Sequence, residues 1–190
     1  MTVDRVVVGI TGASGIPIAV ATVEALAEHC EVITVVTDAA KSVMAHERGD
    51  REATMRHIEE LSAAVYGEDA VHAPIASGSV KTDGMVIVPA SMNTVAAVAT
   101  GRSDTLVSRA ADVTLKERRK LVVVPRETPL SELHLENLLK LARMGVEVVP
   151  PVLGFYFDPD DPEDFVDHVV GKILERFDIE HDQYDAWEPE

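Results

Sequence analysis

The sequence predicts a single α/β domain, doubly wound around a mostly parallel central sheet. Short apolar runs alternate with helical segments from end to end, the pattern of successive strand–helix units. Some runs, such as Leu121–Val124, are apolar without alternation, as in strands covered on both faces. At 190 residues and 46 % hydrophobic content, the chain can bury one full core.

The elements follow in order. Arg5–Ile10 is a strand, and Gly15–His29 a helix that buries Ala, Val and Leu. Glu31–Thr37 is the second strand, followed by helical Ala39–Glu47. Arg51–Val65 has the polar, amphipathic period of a helix, with Gly67 as its stop. Gly84–Val88 is a buried strand, and Thr94–Ala99 a helix. Asp104 caps a long helix to about Arg119, and the strand Leu121–Val124 follows. Ser131–Met144 is a helix stopped at Gly145, Val146–Val149 the last strand, and Asp164–Phe177 the closing helix. No repeat, linker or domain boundary interrupts residues 1–177. The segment Asp178–Glu190 is acidic and poor in apolar residues, yet holds Tyr184 and the only tryptophan, Trp187. A tail packed on a neighbouring subunit would account for both aromatics.

Charge and cysteine usage exclude several classes. With 33 acidic against 17 basic residues and a formal charge of −16, the surface does not suit a phosphate backbone, so no nucleic-acid partner is expected. A small phosphorylated ligand responds to local donors and stays open. The apolar runs fall short of the ~20 residues that span a bilayer. The single cysteine, Cys30, excludes an internal disulfide and cysteine-rich zinc sites, and reads as core filler. With no cleavable signal pattern at the start, a cytoplasmic protein is expected.

Ligand chemistry gathers where strands end. Open parallel sheets bind ligands beyond the carboxyl ends of their strands. The first strand runs into Gly9-Ile10-Thr11-Gly12-Ala13-Ser14-Gly15, whose glycines, hydroxyl and following helix N-terminus favour an anion. The second ends in Thr37-Asp38, the third in Pro89-Ala90-Ser91-Met92-Asn93-Thr94, and Ser77-Gly78-Ser79 precedes it. After Leu121–Val124 comes an adjacent opposite-charge pair, Arg126 and Glu127, between Pro125 and Pro129. On the preceding helix Arg109, Asp112 and Lys116 share a face, while Arg118 and Arg119 read as solvated.

Familiar nucleotide signatures are absent. The glycines at 9, 12 and 15 do not make G-x-G-x-x-G, and no G-x-x-x-x-G-K-[ST] occurs. A short-chain dehydrogenase would need a Tyr-x-x-x-Lys pair and a glycine where Pro17 stands. The scattered histidines include no H-E-x-x-H and read as surface or packing residues.

The order and spacing of these motifs resemble the UbiX-type flavin prenyltransferases. The match includes Arg109-Ala-Ala-Asp-Val-Thr-Leu-Lys-Glu-Arg-Arg119, Pro125-Arg126-Glu127-Thr128-Pro129, His134-Leu-Glu-Asn137 and Gly154-Phe155-Tyr156, and runs to Trp187. The resemblance implies a Rossmann-like, flavodoxin-like domain. It implies that a dimethylallyl group passes from dimethylallyl monophosphate to N5 and C6 of reduced FMN, without a metal. The product, prenylated FMN, would serve a UbiD-type decarboxylase. Gly12, Ala13, Ser14, Thr37, Ser91, Met92, Asn93, Thr94 and Arg109 would then contact FMN. Lys116, Arg126, Tyr156 and Lys172 would bind the prenyl donor, and Ser14, Glu47, Lys116 and Glu127 would serve the chemistry. A homo-oligomer, a dodecamer with sites at subunit contacts, is implied as well.

Two residues depart from the pattern. Position 172 is lysine where many relatives carry arginine, so a forked phosphate grip becomes a single point. Asn93 leans toward flavin-dependent peptidyl-cysteine decarboxylases, which carry a similar Pro-Ala-Ser-x-Asn-Thr segment. Decarboxylation of a cysteinyl or other small acid is therefore the alternative reading. A flavin carrier that transforms nothing is a third.

Overall fold

The computed structural model describes residues 3–157 and 159–184. Its strands are β1 (Arg5–Ile10), β2 (Glu31–Val36), β3 (Ala64–Gly67), β4 (Gly84–Ala90), β5 (Lys120–Pro125) and β6 (Glu147–Val148). All pair in parallel, in the order β3-β2-β1-β4-β5-β6. The chain winds outward through β3, returns to the middle, and winds out the other way. The switch point lies between β1 and β4, where such sheets open a ligand crevice.

The helices are α1 (Ile16–Ala27), α2 (Asp38–Glu47), α3 (Arg51–Leu61), α4 (Met92–Thr100), α5 (Leu106–Lys116), α6 (Glu132–Arg143) and α7 (Pro162–Arg176). Strand side chains alternate between faces, and the core divides accordingly. Val6, Val8 and Ile10 of β1, with Val122 and Val124 of β5, pack against α1, α2, α3 and α7. Val7 of β1, with Leu121 and Val123 of β5, packs against α4, α5 and α6. Burial on both faces is why these strands read as unbroken apolar runs. Cys30 packs against the first cluster, where burial pushes its thiol up to about 11.

Four expectations need correcting. The helix predicted over Arg51–Val65 ends at Leu61, and Ala64–Gly67 is the edge strand β3, paired with β2 through Ile33 and Ala64. Ser62, extended and hydrogen-bonded through its side chain to Thr34, makes that change of direction. Thr105 rather than Asp104 caps α5, in a capping box with Ser108, and the helix stops at Lys116. Asp161 caps α7 with Pro162 behind it, three residues before the predicted start, so Asp164 is the capping-box partner. Arg119 is not a solvated residue. Its guanidinium donates to the carbonyls of Gly78 and Val80, both at 2.8 Å, and holds the Ser77–Ser79 loop.

The start of the C-terminal segment folds onto its own chain. A Cβ on Gly171 would stand 2.6 Å from the Tyr184 ring, so glycine in α7 is what lets Tyr184 lie down on it. Trp187 lies outside the described residues. No helix among the described residues is long and apolar enough to cross a membrane.

Candidate active site

Four loops meet at the carboxyl edge around the switch point. Thr11, 1 % exposed, ties the ends of β1 and β4 together. Its hydroxyl donates to the Pro89 carbonyl at 2.7 Å and accepts from the Ser91 amide at 2.8 Å. This clasp sits beside the register shift between Ile87 and Ala90, and it fixes where α4 begins. Residue type alone did not single out Thr11, because its importance lies in contacts across eighty residues of chain.

The hydroxyls flanking this clasp are largely committed to helix starts. Thr37, 7 % exposed, accepts from the Ala40 amide and caps α2. Ser91 accepts from the Thr94 amide and caps α4, with Thr94 Oγ1 3.0 Å from its own hydroxyl. Met92 is buried in the core, so Asn93 is the exposed polar side chain of that first turn. Gly12 runs so close to α2 that an added Cβ would stand 2.4 Å from Ala39 Cβ.

Glu47, at the end of α2, reaches the start of α1. Its carboxylate accepts from the Gly15 amide at 3.1 Å and from the Ile16 amide at 2.8 Å. Gly15, with φ of 120°, turns both amides toward it and has no side chain with which to cap the helix. The anion drawn to this N-terminus is thus the chain's own. Burial pushes the Glu47 carboxyl up. Hydrogen bonds from Ser14, Ile16 and Gly15, with Arg126 nearby, outweigh burial and hold it below the usual carboxylate range.

A carboxylate held down in the folded state adds stability above its unfolded value and loses it as pH falls through the folded one. Wild type should therefore melt above Glu47→Gln near neutral pH, and the gap should close below about pH 4. Melting curves across that window check this; no gap at neutral pH would mean the tie is absent in solution, and a gap unchanged in acid would mean that the carboxylate's charge is not its source.

Arg126 joins three strand ends. Its amide donates to the Ala90 carbonyl at 3.2 Å, and its Nε donates to the Ser14 carbonyl, also at 3.2 Å. Its two terminal amino groups make no hydrogen bond among the described residues. Glu127, exposed next to it, accepts from the Thr128 amide at 3.0 Å. Pro125, Arg126, Glu127, Leu130, Pro150 and Val152 help line an adjoining, mainly apolar cavity of about 400 Å³. Ser14, Glu47, Asn93, Arg126 and Glu127 therefore share one rim.

The remaining predicted residues lie elsewhere on the chain. Lys116 ends α5 four residues before β5 begins, and pairs at 3.1 Å with Glu117. Glu117 lines a surface cleft with Asp4, Arg5 and Asp83, at the amino ends of β1 and β4. Lys116 thus stands at the opposite edge of the sheet from Arg126. Arg109 pairs with Asp112 at 3.4 Å and donates to the Ala76 carbonyl at 3.3 Å. Tyr156 and Lys172 belong to a cluster around α7. The Tyr156 hydroxyl bonds His168, and Lys172 pairs with Glu175 at 3.1 Å beneath the Tyr184 ring. Burial lowers the Lys172 ammonium, but hydrogen bonds to Tyr184 and Glu175 outweigh it and raise it above the usual lysine range.

The rim offers small-residue backbone on one side and, on the other, the exposed Asn93 amide and the Arg126 guanidinium. Comparison with known proteins identifies the family. The Flavoprotein family profile covers residues 1–178. The flavin prenyltransferase LpdB of Lactiplantibacillus plantarum is 49 % identical, over 97 % of this chain and 98 % of its own. The chain belongs to the UbiX-type flavin prenyltransferase family. Solved UbiX-type structures superpose closely. AnUbiX (PadA1), in complex with FMN and dimethylallyl pyrophosphate, is 39 % identical with a TM-score of 0.93, covering 98 % of each chain. A dodecameric FMN-dependent UbiX-like decarboxylase from Escherichia coli O157:H7 is 44 % identical, also at 0.93, covering 97 % of this chain and 100 % of its own. The peptidyl-cysteine decarboxylase EpiD, at 17 % identity and 0.64 over 92 % of this chain and 98 % of its own, shares the UbiX-type fold alone.

Proposed function

We propose that the protein prenylates reduced FMN with dimethylallyl monophosphate and yields the prenylated flavin used by UbiD-type decarboxylases. The observation that carries this reading is Arg126, held to Ser14 and Ala90 with two amino groups left over at the rim. An arginine anchored this way meets a departing phosphate without reorganising, and fixed donors count most where charge develops. Gly12, Ala13, Ser14, Thr37, Ser91, Met92, Asn93, Thr94 and Arg109 are assigned to FMN, whose reduced ring supplies the nucleophilic N5 and C6. Glu127 and the Ser14–Glu47 pair are the proton-handling groups beside the leaving oxygen. Arg126 and Glu127 together orient the donor, and the apolar walls next to them exclude water from its hydrocarbon.

Lys116 then acts across a subunit contact, since its own chain holds it at the opposite edge of the sheet from Arg126, and Tyr156 and Lys172 join the donor site from their cluster around α7. Exposed apolar side chains support an assembly. Val152, Leu153 and Phe155, close together on one loop, are 64 %, 65 % and 72 % exposed, and Leu133 of α6 is 62 % exposed, more bare apolar side chain than a protein alone in water usually carries. We assign a homo-oligomer, the dodecamer that the E. coli relative forms, and a cytoplasmic location in keeping with a single, half-buried thiol.

The test is anaerobic incubation of the protein with reduced FMN and dimethylallyl monophosphate. The expected result is a flavin heavier by one prenyl unit. Unchanged flavin mass would overturn the proposal, and release of carbon dioxide from a cysteinyl acid without prenyl donor would favour the decarboxylase. Tight FMN binding with neither reaction would leave a carrier.

A further inference from the structure

A buried histidine stands behind the donor-binding tyrosine. His168, in the second turn of α7, is 8 % exposed, whereas Tyr156 is 51 % exposed on the loop above it. Imidazole Nε2 lies 2.7 Å from the Tyr156 hydroxyl. Phe157 stacks on the imidazole with centroids 4.8 Å apart at 20°, and Tyr184 meets it at 4.8 Å and 70°. Two rings thus fix the plane of the imidazole and aim its nitrogen. His168 and Lys172 are four residues apart and share a face of α7.

We propose that His168 is the positioning residue that holds the Tyr156 hydroxyl toward the donor's phosphate, beside Lys172. This rests on Tyr156 binding that phosphate. The phenol has one hydrogen, and giving it to a phosphate oxygen requires that it not be given to the imidazole. The productive arrangement has Nε2–H donating to the Tyr156 oxygen and the phenol donating outward. Burial, followed by the Lys172 ammonium, pushes the imidazole below its ordinary range, with Glu175 acting the other way. The neutral imidazole therefore carries a single proton to place. Tyr156 makes no other side-chain hydrogen bond among the described residues, so without His168 its hydroxyl is free to swing.

The measurement is the Kd of dimethylallyl monophosphate on assembled protein loaded with oxidised FMN, which reads donor binding without turnover. His168→Phe keeps the ring and removes the nitrogen; it should weaken donor binding about tenfold, the scale of one hydrogen bond to a charged ligand. FMN affinity should not move. His168→Gln places an amide nitrogen near the Nε2 position and should recover most of the loss. Tyr156→Phe should weaken the donor at least as much, and the double variant should be no worse than Tyr156→Phe alone. Wild-type donor affinity in His168→Phe, with Tyr156→Phe impaired, would overturn the role of His168 and leave that of Tyr156 standing. Additive losses in the double variant would also overturn it. Unimpaired donor binding in Tyr156→Phe would remove Tyr156 from the donor site and this proposal with it. Whether wild type then transfers the prenyl group is a separate reading, taken from the flavin mass.

Discussion

Arg126→Lys is expected to lower kcat/KM for the prenyl donor about a hundredfold, the usual cost of losing one fixed donor to developing charge. FMN affinity should change much less. The reason is geometric. The guanidinium spends its Nε on the Ser14 carbonyl and keeps two further donors in the same rigid plane. An ammonium is a single point on a flexible stem. If it reaches the phosphate it releases Ser14, and if it holds Ser14 it loses the phosphate. Single-turnover prenylation, followed by flavin mass, separates the outcomes. Turnover within threefold of wild type would show that the planar fork is not what the reaction uses.

Gly12→Ala is expected to weaken FMN binding about ten- to a hundredfold, because the added methyl forces the loop assigned to the flavin away from α2. The new methyl would stand 2.4 Å from Ala39 Cβ and 3.2 Å from the Ala39 carbonyl carbon. No flexible side-chain end is there to yield. The loop after β1 must lift, or α2 must slide along the sheet with its Thr37 cap. Overpacking of this kind costs about 1–3 kcal/mol, so the melting temperature should fall as well. Ala39→Gly removes the nearest atom, and in the double variant it should restore most of the FMN affinity. A fluorescence titration of FMN reads both. Wild-type affinity in Gly12→Ala would place the flavin away from this loop.

Much of the architecture was legible because its causes are local. Arg5–Ile10 matches the structure and the helix read from Ser131 to Met144 spans Glu132–Arg143, since an apolar run and a helical period act within a few residues. Gly145, at φ of 86°, stops the chain after α6 for an equally local reason. Edge strand β3 was lost because only one of its neighbours is a strand. Half-exposed Ala64 and Val65 continued the amphipathic period of α3. The rim was partly legible for the same reason as the fold: caps and glycines at strand ends announce themselves. What the sequence did not reveal were relations across the chain. Glu47 capping α1, Thr11 clasping β4 and Arg119 holding Gly78 each join residues more than thirty positions apart. Lys116 matched a motif faithfully, yet a motif carries no information about which end of a sheet it reaches.

The carboxylate at the head of α1 has a consequence for what this strand order can host. In dehydrogenases wound the same way, that helix receives the diphosphate bridge of a pyridine nucleotide. Here the Gly15 and Ile16 amides that such a bridge would use already donate to Glu47. A pyridine nucleotide would have to displace that side chain before it could use this helix end.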